Sequence, residues 1–277
     1  MVQYTHVQIS EYTSAYIFTE VQESDGVGKP MDEIQRLREL AERSYNNGQY
    51  TFTDFMSVAE LSVYYDNEPE LKYAHPELFG GCDLSERKII RFGSEEELGY
   101  VQEFPITALS VRPLASKFAD DLNHRDFLGA LMNLGIKREM LGDIFVKDKE
   151  ACVFCRDNIA QFIIDNLTRV KHTSVRTEIA DNIAEITAPD MEDKIIQVSS
   201  QRIDAVIARV YNLSRQEALD LFPAGLVFLN GRSCSENAKQ LSAADVISVR
   251  GKGKFEFLQE LNLSKKGKIN CRIRIYR

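Results

Sequence analysis

Cys152 and Cys155 stand at the C-x-x-C spacing that can bring two thiolates to one metal ion. A zinc centre needs four ligands, and neither a second C-x-x-C nor a histidine pair completes this one; Cys82, Cys234 and Cys271 are isolated. On a strand the two side chains also point to opposite faces. They read as ordinary packed cysteines, and no metal is expected. His124-Arg125-Asp126 has the residue types of a kinase catalytic loop, but no glycine-rich loop or D-F-G accompanies it. The simpler reading makes Asp126 a helix cap, with His124 and Arg125 at the helix start. Gly26-Val27-Gly28-Lys29-Pro30 lacks the P-loop spacing and has Pro30 where a hydroxyl would hold magnesium. Gly80-Gly81 marks a turn and Glu95-Glu96-Glu97 a solvated loop, and no G-x-G-x-x-G opens a βαβ unit. With no constellation for catalysis, the chain is expected to be no enzyme, to carry no cofactor and to take no small-molecule substrate.

The remaining chemistry is cationic. From Ser199 to Arg277 there are 14 Lys+Arg against 7 Asp+Glu, a net of +7. Met1 to Val198 has 20 against 35, a net of −15, which leaves −8 for the whole. An acidic chain with one basic segment has localised its attraction for a polyanion, and a small module of this kind suits RNA. Ser214 is a good N-cap, which leaves Arg215 and Gln216 in a first helical turn where free N–H groups favour an anion. Asn230-Gly231 is a hairpin-turn signal, followed by Arg232. Arg250-Gly251-Lys252-Gly253-Lys254 spaces three cations with glycines, so backbone and phosphate can approach closely. The expected RNA contacts are Arg202, Arg215, Gln216, Asn230, Arg232, Lys239, Arg250, Gly251, Lys252 and Lys254, with Arg125, Lys137 and Arg138 as secondary candidates. Arg209, Lys265, Lys266 and Lys268 read as solvated charges. Arg202 and Asp204, two apart, do not face each other on a helix, so Asp204 is free to orient Arg215. With few aromatic residues in the segment, phosphates and shape should dominate recognition.

These residues need a scaffold. Ile203, Val206, Ile207 and Val210 recur at helical spacing ahead of Ser214; Leu226 to Leu229 and Asp245 to Val249 read as strands, and another near Ile195 to Val198 leads in. Upstream, Ile34, Leu37, Leu40 and Ala41 share a helix face that stops at Asn47-Gly48. Thr53-Asp54 can cap a second helix through Phe55, Val58, Leu61 and Val63, before the proline-broken stretch Asn67 to Pro76. The alternation around Val7, Ile9 and Tyr12 permits a strand, broken at Ser24 to Pro30. In the middle, Arg87 to Phe92, Ile106 to Val111, Asp143 to Val146, Ala151 to Phe154 and Val170 to Ile179 read as strands. Two helices interleave them, one ending at Gly135 and one capped by Asp157. The expected class is α+β: a small helical N-terminal domain (1–78), a central split-βαβ domain of the RRM or ferredoxin-like kind (79–182), a linker or strand (183–198), and a two-helix and small-sheet domain with a C-terminal hairpin (199–277). Five cysteines, an odd number, argue for a reducing compartment, and no apolar run approaches the roughly 20 residues of a membrane span. The N-terminus shows no signal peptide, so a cytoplasmic protein is expected.

The R-I-D of the first helix, S-R-Q-E-A opening the second, G-L-V-x-L-N-G and D-x-I-S-V-R-G resemble the S4 RNA-binding domain. Upstream, Leu78-Phe79-Gly80-Gly81, Ser85-Glu86-Arg87-Lys88, His124 to Met132, Gly135 to Glu139 and Gly142-Asp143-Ile144 are similar to the YlmH-like proteins. The likeness runs from about Phe79 to the C-terminus. It implies a non-enzymatic, bacterial, ribosome-associated protein that binds ribosomal RNA and tRNA on a large subunit holding a stranded peptidyl-tRNA. Two rivals are an RNA-modifying enzyme and a cell-division scaffold. Pseudouridine synthases often join an S4 domain to a motif in which Asp follows His-Arg and one more residue, but that intervening residue is missing here.

Overall fold

The computed structural model describes residues 33–181, 183–187, 191–264 and 267–276. The strand expected near Val7, the break at Ser24 to Pro30, and Lys265 and Lys266 lie outside the described residues. The first helix, α1 (Glu33–Asn47), buries Leu37 and Ala41 and ends at Gly48, whose φ of 60° suits a residue without a Cβ. After β1 (Thr51–Phe52) comes α2 (Val58–Leu71). Its cap is Ser57, not Thr53-Asp54: Ser57 and Glu60 form a reciprocal capping box. The Thr53 hydroxyl is engaged elsewhere, accepting the Ile90 N–H at 2.9 Å. The helix also continues through Pro69, which falls in its last turn.

β2 (Glu77–Phe79) and β3 (Ile89–Phe92) flank nothing in the central sheet; they join β1 in a three-stranded sheet of order β1-β3-β2. The N-terminal part is therefore helix and sheet rather than largely helical, because Ile90 and Phe92 complete the core that Leu37, Leu61 and Leu71 leave open. Glu95 to Glu97 lie in a one-turn helix, α3 (Glu95–Leu98), rather than a loop, closed by Gly99 in the left-handed region.

The middle of the chain runs β4 (Ile106–Pro113), α4 (His124–Asn133), β5 (Leu141–Lys147), β6 (Glu150–Arg156), α5 (Asp157–Asn166), β7 (Arg169–Val170) and β8 (Thr173–Ile179). Its antiparallel sheet has the order β5-β6-β4-β8-β7. Alternation along the strands divides the side chains between two cores. Leu109, Val111, Val153 and Cys155 pack with Phe127, Leu131 and Ile163 from the two helices. Ala108, Cys152 and Phe154 pack on the other face with Phe55 and Ile89. Cys152 and Cys155 thus enter different cores, as the strand spacing requires, and burial pushes both thiols up to about 12, far from a thiolate ligand. Gly81, at φ 105°, lies where a Cβ would overlap the Phe154 ring. Two expected caps are replaced. Asn123 caps α4, with Asp126 as its capping-box partner; Arg156 precedes α5 without a side-chain cap, and Asp157 instead accepts the Thr107 hydroxyl at 2.7 Å.

The chain ends with α6 (Ile183–Thr187), β9 (Met191–Val198), α7 (Ile203–Val210), α8 (Arg215–Asp220), β10 (Val227–Leu229), β11 (Arg232–Ser233), β12 (Asp245–Val249), β13 (Gly253–Leu263) and β14 (Ile269–Tyr276). The sheet order is β11-β10-β12-β13-β14-β9, so β9 is an edge strand of this sheet, paired with β14 from Met191↔Tyr276 to Val198↔Ile269. Ile203, Val206, Ile207 and Ala218 from the helix pair meet Val227, Ile247, Phe255, Phe257 and Ile273 of the sheet.

Candidate nucleic-acid interface

Arg202 precedes the first turn of α7 in extended backbone, which frees its side chain to fold back. Its guanidinium grips Asp204 bidentately, Nε–Oδ1 at 3.1 Å and Nη2–Oδ2 at 2.8 Å. Helical spacing does not separate this pair, because Arg202 stands outside the helix. Asp204 is therefore occupied with Arg202 and does not orient Arg215. Arg209 stands in the last turn of α7. Asn212, at φ 52°, turns the chain into α8, where the expected N-cap Ser214 forms a capping box with Glu217 and holds Arg215 in the first turn. Strand β14 brings in Lys268 just before its start.

The result is a cleft of about 470 Å³ lined by Arg202, Arg209, Arg215, Lys268, Gln197 and Asn212. Among the described residues Asp204 is the sole carboxylate in its lining, and Arg202 neutralises it. Arg209, Arg215 and Lys268 make no ion pair among the described residues. Arg209 and Lys268, which sequence alone presents as solvated charges, are thus site residues that it does not identify. A signal for Arg209 exists, since residues 205 and 209 share the flank of a helix whose apolar stripe is 203, 206, 207 and 210. Lys268 has no such signal, because its place depends on strand pairing. Gln216 bonds Asp220 at 2.7 Å on the exposed side of α8. Lys239 is exposed, while its carbonyl accepts the Ile203 N–H at 2.8 Å and so ties its segment to the start of α7.

The glycine-spaced loop divides. Arg250, Gly251 and Lys252 form the exposed β12–β13 turn, with Gly251 at φ 79°. Lys254 already belongs to β13, and its ammonium lies 3.6 Å from Glu86 and 5.2 Å from the Tyr276 ring centroid. Asn230 is structural, because at φ 52° it makes the hairpin turn while its amide bonds Asp245 and its oxygen accepts the Val246 N–H. Arg232 sits 5.7 Å from the Tyr65 ring, and the neighbouring Ser233 N–H bonds Ser62 Oγ, so β11 docks on α2. Of the ten expected contacts only Arg202 and Arg215 line the cleft; Gln216, Asn230, Arg232, Lys239, Arg250, Gly251, Lys252 and Lys254 do not.

The secondary candidates part in the same way. Arg125 is exposed and unpaired among the described residues, and Lys137 is 3.9 Å from Glu139. Arg138 turns inward, donating to the carbonyls of Leu141 at 2.7 Å and Gly142 at 3.0 Å. Burial and the adjacent Arg87 lower it to about 10. Arg87 donates to the carbonyls of Leu141, Phe55 and Arg138. Asp143 accepts both the Glu86 and Arg87 N–H groups, and burial raises its pKa. His124 is lowered by desolvation of its ring and by Arg138 and Arg125, so it is neutral at pH 7 and adds no cation. Among the described residues no group of three His, Cys, Asp or Glu converges as a metal site.

Residues 100–183 match the family model described as "Putative RNA-binding domain in YlmH". The chain is 33% identical over 190 residues to the ribosome-associated protein quality control protein P2 of Bacillus subtilis, covering 68% of this chain and 73% of that protein. A solved structure, the cell division protein ylmH from Streptococcus pneumoniae, is 18% identical with a TM-score of 0.45, covering 58% of this chain and 99% of that one.

Proposed function

The chain belongs to the YlmH-like family, and from that premise we propose that it is a non-enzymatic RNA-binding protein of the large ribosomal subunit. The family supports an RNA-binding, ribosome-associated role. The finer reading is that the C-terminal unit acts as an S4 domain, gripping ribosomal RNA and tRNA where a stalled peptidyl-tRNA is handled, which places it in the cytoplasm. One observation carries this reading: Arg209, Arg215 and Lys268 converge beside Arg202 on a single cleft without carboxylate partners. Three unpaired cations around one concavity, beside the Arg202–Asp204 pair, create a field that phosphates answer and that neutral or cationic ligands do not. The exposed Arg250–Lys252 turn supplies further phosphate contacts on the same unit. In support of the non-enzymatic reading, Asp126, the one carboxylate of the His-Arg-Asp run, is held by Lys171 at 2.7 Å and by its capping role.

With about five phosphate contacts, log affinity for structured ribosomal RNA should fall against log salt with a slope of roughly −3.5 to −4.5. The test is gradient sedimentation with large subunits. Wild-type protein is expected to co-migrate, and Arg209→Ala with Arg215→Ala to stay at the top of the gradient. Co-migration of that double variant at wild-type levels would overturn the assignment of the cleft.

A further inference from the structure

The face of the central sheet opposite α4 and α5 has two unlike ends. Toward the N-terminal part, Phe154 is 1% exposed and packs with Phe55, Ile89 and Phe145, so bases cannot stack across the middle as they do on open four-stranded RNA-binding sheets. The far end is open and charged. Arg112 and Arg176 stand directly opposite each other across β4 and β8. Like charges in that position repel. Glu150 at 3.3 Å and Glu178 at 3.5 Å take up Arg112, while Arg176 is exposed and bonds no carboxylate among the described residues.

Beyond the end of β4 the same ladder continues, the Leu114 N–H donating to Ser174 O at 3.0 Å. The next residues hold Phe118 at 83% exposure with the Lys117 ammonium 5.9 Å from its ring centroid. This loop is fixed. The Asp120 N–H donates to Thr173 Oγ1, the His172 N–H donates to Asp120 Oδ2, and Lys149 from the β5–β6 turn donates to Ala119 O at 2.8 Å. A ring held out in water by a pinned loop, with the Lys117 ammonium beside it and the exposed Arg176 on the strand that pins the loop, has the parts of a stacking platform for a single-stranded nucleic acid.

We infer that Arg176, Lys117 and Phe118 form the RNA contact of the central module, taking an unpaired nucleotide from a loop or bulge. Phe118 stacks on the base, and the two cations hold the flanking phosphates. This rests on the reading of the chain as an RNA-binding protein and adds a second surface to it, distinct from the cleft of α7 and α8.

The experiment uses the full chain, fluorescence anisotropy and two probes: a short labelled oligouridine and a structured ribosomal RNA fragment. Phe118→Ala is expected to weaken oligouridine binding about tenfold with the salt slope unchanged, since it removes stacking and no charge. Arg176→Ala should lower that slope by about 0.7. Retention of oligouridine binding by Arg209→Ala with Arg215→Ala would show that the two surfaces are separate. If the structured fragment binds through Arg215 while Phe118→Ala and Arg176→Ala leave oligouridine unaffected, the inference falls and the proposed function stands. If wild-type protein binds neither probe, the proposed function fails first and takes the inference with it.

Discussion

Two groups of arginines in this molecule use the same side chain in opposite ways. At the junction of β3, β5 and the segment before α2, Arg87 and Arg138 are turned inward onto backbone carbonyls, with Asp143 beside them. In the cleft of α7 and α8, Arg209 and Arg215 point to solvent with nothing to hold. The first group completes hydrogen bonds that would otherwise be left open inside the fold. The second keeps its bonds open for a partner. Charge alone cannot separate them, because each is a pair of arginines. What separates them is the supply of acceptors.

The largest effect should therefore fall on stability, at the junction. Arg87→Met leaves the Phe55 carbonyl without that donor, the Leu141 carbonyl with Arg138 alone, and Asp143 without one of its two neighbouring cations. Unmet buried groups of this kind cost about 3 kcal/mol. Urea denaturation should show the loss, while RNA affinity measured well below the transition stays at the wild-type value. A stability change under about 0.5 kcal/mol would dissolve the contrast between the two regions.

The same contrast divides what is legible in the sequence from what is not. Local signals are legible: the Ser214 N-cap, the stripe of Ile203, Val206, Ile207 and Val210, the opposite faces of Cys152 and Cys155, and the turn at Asn230-Gly231. Each depends on residues within a few positions of one another. Arg202 with Asp204 is the exception that tests the rule, since helical spacing says nothing about a residue that stands outside the helix. The junction is illegible for a different reason. Arg87 meets Phe55 and Leu141 across 32 and 54 residues, so only the tertiary fold shows that its donors are taken. The same holds for Lys254, which sequence groups with Arg250 and Lys252 but which the fold pairs with Glu86.

That last case gives a comparison within a single loop. Lys252→Met should lower the salt slope of RNA binding by about 0.9 and leave the denaturation midpoint unchanged. Lys254→Met should do the reverse, costing about 0.5 kcal/mol for a partly exposed ion pair and a ring contact, with the slope unmoved. Equal slopes for the two variants would mean that Lys254 leaves Glu86 to meet RNA.

The smallest and most discriminating effect is in pH. Asp143, at the junction, is raised by burial, despite the two N–H groups that favour its charge. Asp126, in the capping box of α4, is lowered by its hydrogen bond to Lys171 and by the Asn123 N–H. The two carboxylates must then act in opposite senses. A raised folded pKa means that Asp143 contributes its full stability below the unfolded value near 3.9, and that this is lost as pH rises through the folded value. A lowered one means that Asp126 contributes above about 3.9 and that this is lost as pH falls through its folded value. Midpoints measured from mildly acidic to neutral pH should therefore show Asp143→Asn gaining on wild type as pH rises. Asp126→Asn should lag at neutrality and converge with wild type in acid. If both variants drift the same way, the junction carboxylate is solvated like the cap, and the inward-turned arginines beside it do not form a sealed group.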